Sequence, residues 1–518
     1  MILINEAKAE KTRPTLGDRL HFVALIPRDI ALALVCLDFR TFIAGFRLLP
    51  PRYLEWTSGI RARRAFHRAA RRVPAYARFL GTTTANGLIP ETDKDAYIKV
   101  YPTEARCVDG RIPATGVMID ESSGSTGTPY NWVRSQRERK ESHLFISYFT
   151  KHCFGTEPYI TINAFSMGAW ATGLNMGLAL QRNAIVKNTG PDVGKILHTL
   201  AFFGPKYRYL VLGYPPFLKQ LIDAAEKRGF PLQDYHLDAL VGGEGMSEGL
   251  REYLRKRFIK VFSGYGATDL EIGIAGETPL SVAIRKLAEK NGAVRSRLFG
   301  HDSRLPMVFQ YNPIMHHVTA NANGELLFTI TRKSVLSPRI RYNVHDQGGV
   351  MRFDEMTAAL AEAGVDIQDL IAETGTRPMP FPFMWIFGRR DFTISVMGAN
   401  IYPEDLEQCV YADEGLSRIT RSFTQTLVET AGAGVRPGFY FEVTVEPDEA
   451  LVKKFSESIL AHLIKVNADF AEAWHEYPET LVPEVKLFRV GEGPFQADAS
   501  KIKQSRLLRS PKEDGSAA

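Results

Sequence analysis

The sequence predicts an α/β protein in two unequal parts, a large N-terminal α/β domain with mixed sheets and a small α+β C-terminal domain. Three observations carry this reading. Apolar, β-rich runs at 159–165 (YITINAF), 183–188 (NAIVKN), 209–214 (YLVLGY), 239–244 (ALVGGE) and 260–266 (KVFSGYG) alternate with helical stretches such as 215–229 and 247–258. That alternation is the pattern of a largely parallel sheet, and a more antiparallel portion follows at 324–332 and 339–353. Near residue 387 the texture changes to a charged turn, an alternating strand, a Gly-Ala-Asn turn and a Pro-started helix. The length of 518 residues also exceeds what one hydrophobic core accommodates.

In chain order, residues 1–60 read as an N-terminal helical extension. Its apolar stretch at 22–49 is interrupted by Pro27, Arg28, Asp29, Asp38, Arg40 and Arg47. A bilayer span takes ~20 mostly apolar residues, so a buried or surface-docked helix is expected instead. The start, MILINEAKAEKTRP, has no signal-peptide pattern, and the expectation is a cytoplasmic protein without an integral membrane segment. Residues 61–80 form a basic helix whose RARRAFHRAARR face reads first as solvated and second as a phosphate or membrane-surface contact. The net charge of +6 is mild for this length and argues against a nucleic-acid partner. Cys36, Cys107, Cys153 and Cys409 are too far apart for a zinc motif and read as free thiols.

The stretch SSGSTGTP at 122–129 stands apart. Gly124 and Gly127 can adopt positive φ and gather backbone N–H groups, while Ser122, Ser123, Ser125, Thr126 and Thr128 add hydroxyl donors. Such a concavity suits a phosphate, although the lysine of the usual phosphate-binding loop is absent. The large domain is taken as 61–388. The small domain, 389–510, contains a strand at 439–447, a helix at 449–470 and a strand at 484–490, with a disordered tail at 511–518.

Four motifs occur in order: SSGSTGTP, SGYGATDLE (263–271), IRYNVHD (340–346) and GRRDFTISVMGANIYPEDLE (388–407), followed by a lysine-bearing tail. Together they resemble the adenylate-forming superfamily of acyl-CoA synthetases, luciferases and adenylation domains, and within it a divergent member of the phenylacetate–CoA ligase-like branch. The resemblance covers about residues 68–505. It implies a large domain and a small mobile domain, and a reaction in which a carboxylate attacks ATP with Mg²⁺, after which a thiol, usually coenzyme A, displaces AMP.

The same resemblance implies roles for particular residues. The 122–128 loop, with Thr126 within it, would cradle phosphates. Asp269 would support Mg²⁺, where the family usually has Glu. Gly243, Glu244, Tyr265, Gly266 and Thr268 would border the nucleotide, Asp346 would accept from the ribose, and Arg389 would reach the sugar or phosphate. Asp391 falls at the hinge. Lys501 is the candidate catalytic lysine, with Lys503 its rival. Phe165, Met167, Gly168, Trp170 and Gly242 are the candidate acyl-pocket residues, for an aryl or arylalkyl carboxylic acid.

Read singly, each of these residues also has a structural explanation: a turn, a buried ring or a solvated charge. Three departures mark the chain as divergent: Thr128 in place of the loop lysine, three changes in IRYNVHD, and Ser395 where some relatives carry a lysine used in the second half-reaction. They keep two other readings open, an adenylating enzyme with an amine or carrier-thiol acceptor and a nucleotide-binding scaffold without catalysis. The sequence gives neither the acid nor the assembly state, homodimer or otherwise.

Overall fold

The computed structural model describes residues 14–83, 89–122, 130–169, 171–300, 302, 304–389, 394–396, 399–429, 435–476, 478–496 and 507–508. Four helices come first: α1 (Leu16–Val35), α2 (Phe39–Arg47), α3 (Pro51–Arg72) and α4 (Pro74–Thr83). Pro51 starts α3 at its first position, where the missing N–H costs nothing. Pro74 forces Val73 into an extended conformation, which ends α3 and opens α4. The limit drawn at residue 60 therefore falls inside α3, because no proline lies between Pro51 and Pro74 and the helix runs on through Gly59. The basic stretch at 61–72 is the second half of that helix, not a separate one.

A short antiparallel hairpin follows, β1 (Val117–Glu121) and β2 (Asn131–Ser135), and leads into α5 (Gln136–Phe154), capped by Ser135. The parallel part of the large sheet is built from β3 (Ile160–Asn163), β4 (Ile185–Asn188), β5 (Arg208–Gly213), β6 (His236–Gly242) and β7 (Val261–Ala267). Helices α6 (Ala171–Leu180), α7 (Val193–Phe203), α8 (Pro215–Lys227) and α9 (Glu248–Arg255) make the crossovers. Tyr209–Gly213 is buried throughout, as a strand covered on both faces requires.

The sheet then turns antiparallel through β8 (Glu271–Gly276), β9 (Met307–Tyr311), β10 (His316–Ala320), β11 (Glu325–Ile330), β12 (Tyr342–Met351) and β13 (Phe383–Arg389). The resulting order is β10-β11-β12-β13-β9-β8-β7-β6-β5-β3-β4. The antiparallel portion begins at residue 271, earlier than the sequence predicts. Only Thr268–Leu270 separate β7 from β8, which leaves no length for the crossover a parallel pairing needs.

A second hydrophobic core starts at Ile394. It holds β14 (Ile394–Val396), β15 (Ala399–Ile401), β16 (Thr420–Glu429), β17 (Val435–Val443), β18 (Glu484–Arg489) and the helices Pro403–Ala412 and Glu449–Val466. The helix Pro403–Ala412 docks on α9: Glu407 Oε2 accepts from Ser247 N at 2.6 Å, and Tyr411 packs beside Tyr253 with ring centroids 6.1 Å apart. No helix among the described residues is long and apolar enough to cross a membrane.

Candidate active site

The carboxyl ends of β6 and β7 open onto one cavity. Phe165, Gly242, Gly243, Tyr265 and Gly266 line it, so the structure brings together five residues selected from three separate stretches of sequence. A Cβ at Gly242 would press on the Gly264 carbonyl oxygen at 3.0 Å, with Phe165 Cζ in ordinary contact at 3.8 Å. Gly243 adopts φ 85°, the left-handed region that favours glycine. At Gly266 the close approach is made by the protein itself: a Cβ would meet Glu271 O at 2.9 Å and Gly273 N at 3.0 Å on the returning strand.

Met167 is not part of the cavity wall. It is half-buried against Gly173 and Gly190, because the chain turns after Phe165 toward the start of α6, and Gly168 is exposed on that turn. Glu244 is half-buried near Tyr214, whose hydroxyl burial pushes above its ordinary pKa.

Two motifs are bonded to one another, and to the β1–β2 hairpin, beside this cavity. Tyr265 donates its hydroxyl to Asp346 Oδ2 at 2.6 Å, and Tyr342 donates to Asp269 Oδ2 at 2.9 Å. Arg134, on β2, donates to the Thr268 carbonyl at 2.5 Å and to Asp120 Oδ2 at 3.1 Å. Burial, together with the adjoining Asp269 carboxylate, raises the Tyr342 hydroxyl well above its usual pKa, so it remains a donor. Arg339 sits between the Trp132 and Tyr342 rings, 4.9 and 5.5 Å from their centroids, and donates to the Asp269 carbonyl. Burial lowers Arg339 to about 10, which leaves it charged at neutral pH.

The IRYNVHD segment is strained. Arg341 and His345 both have positive φ, 46° and 64°. Asn343 Oδ1 holds the His345 N–H at 2.7 Å in the turn. Asp346 pairs across the sheet with Arg389, so the ribose candidate lies one strand from the last residue of the large sheet.

Ser122 acts at the neck of its loop. Its hydroxyl accepts from Tyr130 N at 2.9 Å, and its own N–H reaches the Tyr130 carbonyl at the same distance. Residues Ser123, Gly124, Ser125, Thr126, Gly127 and Thr128 lie outside the described residues, as do Trp170, Asp391, Lys501 and Lys503. Of Arg389 only the strand position is described. Among the described residues no group of three or more His, Cys, Asp or Glu could hold a metal. The donor set fits Mg²⁺ only as a single carboxylate, Asp269, completed by substrate phosphates and water.

Two parts of the site escaped sequence reasoning. The deep wall is aromatic, with Phe42 from α2, Phe145 and Phe149 from α5, Phe262 and Phe381. No local signal links residues this far apart in the chain. The other part is a buried ionic group: Glu271 bonds His316 through Oε1 and Arg332 through Oε2. Burial alone would raise the Glu271 carboxyl, but Arg332 and His316 hold it down at about 2. Glu271 ends the SGYGATDLE motif, which was the one available hint. His316 Nδ1 and Asn312 Nδ2, both on residues of the cavity wall, have no hydrogen-bond partner among the described residues.

No family profile and no curated protein sequence matches the chain. Solved structures do. A 2-hydroxyisobutyryl-CoA ligase in the postadenylation state, in complex with 2-HIB-AMP, superposes with a TM-score of 0.64 at 12% identity, over 90% of this chain and 92% of that one. The same ligase with 2-HIB-AMP and CoA in the thioesterification state gives 0.52 at 13% identity, over 89% and 91%. An open form with the same ligands gives 0.54 at 12% identity, over 89% and 93%. At such identities the likeness is one of fold, and the fold of this chain is that of the adenylate-forming enzymes.

Proposed function

We propose that the protein is an ATP-dependent carboxylate-activating ligase, AMP-forming, which makes an acyl-adenylate from an aryl or arylalkyl acid and passes the acyl group to coenzyme A. One observation carries the reading: Tyr265–Asp346 and Tyr342–Asp269 tie two motifs together, and Arg134–Thr268 ties them to the hairpin that flanks the 122–129 loop, beside a cavity with an aromatic wall. Nucleotidyl transfer calls for positioning and charge neutralisation more than for covalent help from the protein. Asp346, oriented by Tyr265, is the acceptor for the ribose hydroxyls. The 122–128 loop, its neck closed by Ser122, is the phosphate cradle. Asp269, fixed through Oδ2, is the carboxylate for Mg²⁺, which would neutralise the phosphates. Lys501 is the cation that holds the carboxylate against the α-phosphate.

Phe42, Phe145, Phe149 and Phe165 exclude water from the acyl group and favour a flat apolar body. The unpartnered Asn312 Nδ2 and His316 Nδ1 favour an acid that carries a polar substituent such as a hydroxyl. Leaving them unmatched in the complex would cost affinity.

The test is pyrophosphate release with ATP and Mg²⁺ across a panel of carboxylic acids, with and without CoA. Release that depends on one acid class, with a thioester once CoA is added, supports the ligase. Absence of release with every acid refutes it. A second reading rests on Ser395, exposed on β14 where some relatives carry a lysine. Acid-dependent release without any thioester would transfer the acyl group to an amine or carrier thiol.

A further inference from the structure

Helix α1 is turned inside out. Over residues 16–37 the charged side chains are Asp18, Arg19, Arg28 and Asp29, and three of these face the protein. Asp29 bonds Arg61 and, at 3.0 Å, Arg64 on α3; Lys333 lies 3.5 Å away. Asp18 lies 3.4 Å from Arg63, and Arg28 stacks 4.7 Å from the Trp56 ring centroid. The outward face carries Leu16, Leu20, Val23, Ile26, Ile30, Leu34 and Leu37, each between 51% and 75% exposed. Ala24, Ala31 and Ala33 flank this stripe, and Arg19 is the one charge on it.

We propose that this face is a homodimer contact, with α1 packed against α1 of a second copy about a twofold axis near the middle of the stripe. Three features of the surface favour a second copy. The exposed apolar positions 16, 20, 23, 26, 30, 34 and 37 recur in steps of three and four, the spacing of a helix–helix seam. In an isologous contact the same stripe is presented by both copies.

Size agrees as well. Seven side chains, each presenting on the order of 100 Å², approach the roughly 800 Å² per partner of a standard interface. Charge disfavours the obvious competitor, a lipid surface. The arginines of α3 that would attract anionic headgroups are spent on Asp18, Asp29, Asp109 and backbone carbonyls, whereas surface-seeking helices carry their basic residues free on the polar face. Because α1 leads directly into α2, whose Phe42 lines the cavity, the contact adjoins the site without entering it.

The test is the solution mass of the full chain by light scattering. We expect twice the chain mass, falling to one chain in Leu20→Glu/Ile30→Glu, whose positions are exposed and compatible with folding. The variant Ile26→Cys, at the midpoint of the stripe, is expected to cross-link with a short bis-maleimide. Leu48→Cys, outside the stripe, is expected not to, and the four native thiols are buried and silent. A monomeric wild type, or a dimer that the double substitution leaves intact, overturns the proposal. Co-sedimentation of a monomeric wild type with phosphatidylcholine–phosphatidylserine vesicles assigns the face to lipid and overturns it. So does a deletion of residues 1–13 that converts a monomer into a dimer, since that segment would then be the cover.

Discussion

Two buried carboxylates, one in each domain, have been driven in opposite directions. Glu271, in the large domain, is bonded to Arg332 and His316, and its carboxyl is held at about 2. Asp405, in the helix Pro403–Ala412, accepts only neutral donors, Tyr402 N at 3.0 Å and Asn467 Nδ2 at 2.7 Å; burial pushes it up to about 7. Both sites exclude water, so desolvation alone does not set the charge. A cation within bonding distance does. The large domain keeps a fixed ion pair behind its cavity, whereas the small domain keeps a group that titrates near neutrality.

The largest effect should come from breaking the paired acid. Glu271→Gln leaves Arg332 charged and buried without a counter-ion, a loss of about 3–5 kcal/mol. Urea denaturation should register it, and adding Arg332→Met should restore much of the loss. A single variant within 1 kcal/mol of wild type would dissolve the contrast between the two sites.

Next comes the pH dependence, in which the two acids have opposite signs. The stability contributed by Glu271 is present above its unfolded pKa of about 4.3 and is lost as pH falls toward about 2. The contribution of Asp405 is complete below about pH 4 and is lost as pH rises through about 7, at no more than about 1.4 kcal/mol per pH unit. Hydrogen exchange of the small domain between pH 5 and 8 should therefore accelerate beyond its chemical trend, and Asp405→Asn should flatten the excess. An unchanged excess in that variant would assign the titration elsewhere.

Half-buried Asp346 has a neutral but close donor, and Tyr265→Phe removes that bond at a cost of about 1 kcal/mol. If Asp346 meets the nucleotide, KM for ATP should rise several-fold with little change in thermal stability. The smallest expected effect sharpens the Asp405 side. Arg304 is the last and weakest influence lowering that carboxyl, so Arg304→Gln should move its midpoint upward by a fraction of a unit, read by carboxyl-resolved NMR.

Much of the parallel block was legible, because strands buried on both faces must be nearly continuous apolar runs, and β3 to β7 each overlap one of the five runs picked out, the exposed edge strand β4 included. The cavity residues Phe165, Gly242, Gly243, Tyr265 and Gly266 were legible through motifs whose glycines answer local backbone demands. Asp346 and Asp269 were legible as acids, but their tyrosine partners come from other strands and leave no mark beside them. The outward face of α1 was read as an interrupted apolar stretch, since sequence alone does not tell which side of a helix meets the protein. The pairing of Glu271 with Arg332 depends on a contact across 61 positions, and no periodicity reports that.

The aromatic wall has a consequence for synthesis. Phe42 and Phe381 line the cavity together, and the rings of Phe46 and Phe381 lie 5.1 Å apart, so one side of the cavity is supplied early and its counterpart roughly 340 residues later. At ribosomal speeds of about 5–20 residues per second, the early phenylalanines wait on the order of tens of seconds for their neighbour. During that interval the nascent chain carries an apolar surface with no inside, and the substrate chamber comes into being only as the large domain is completed.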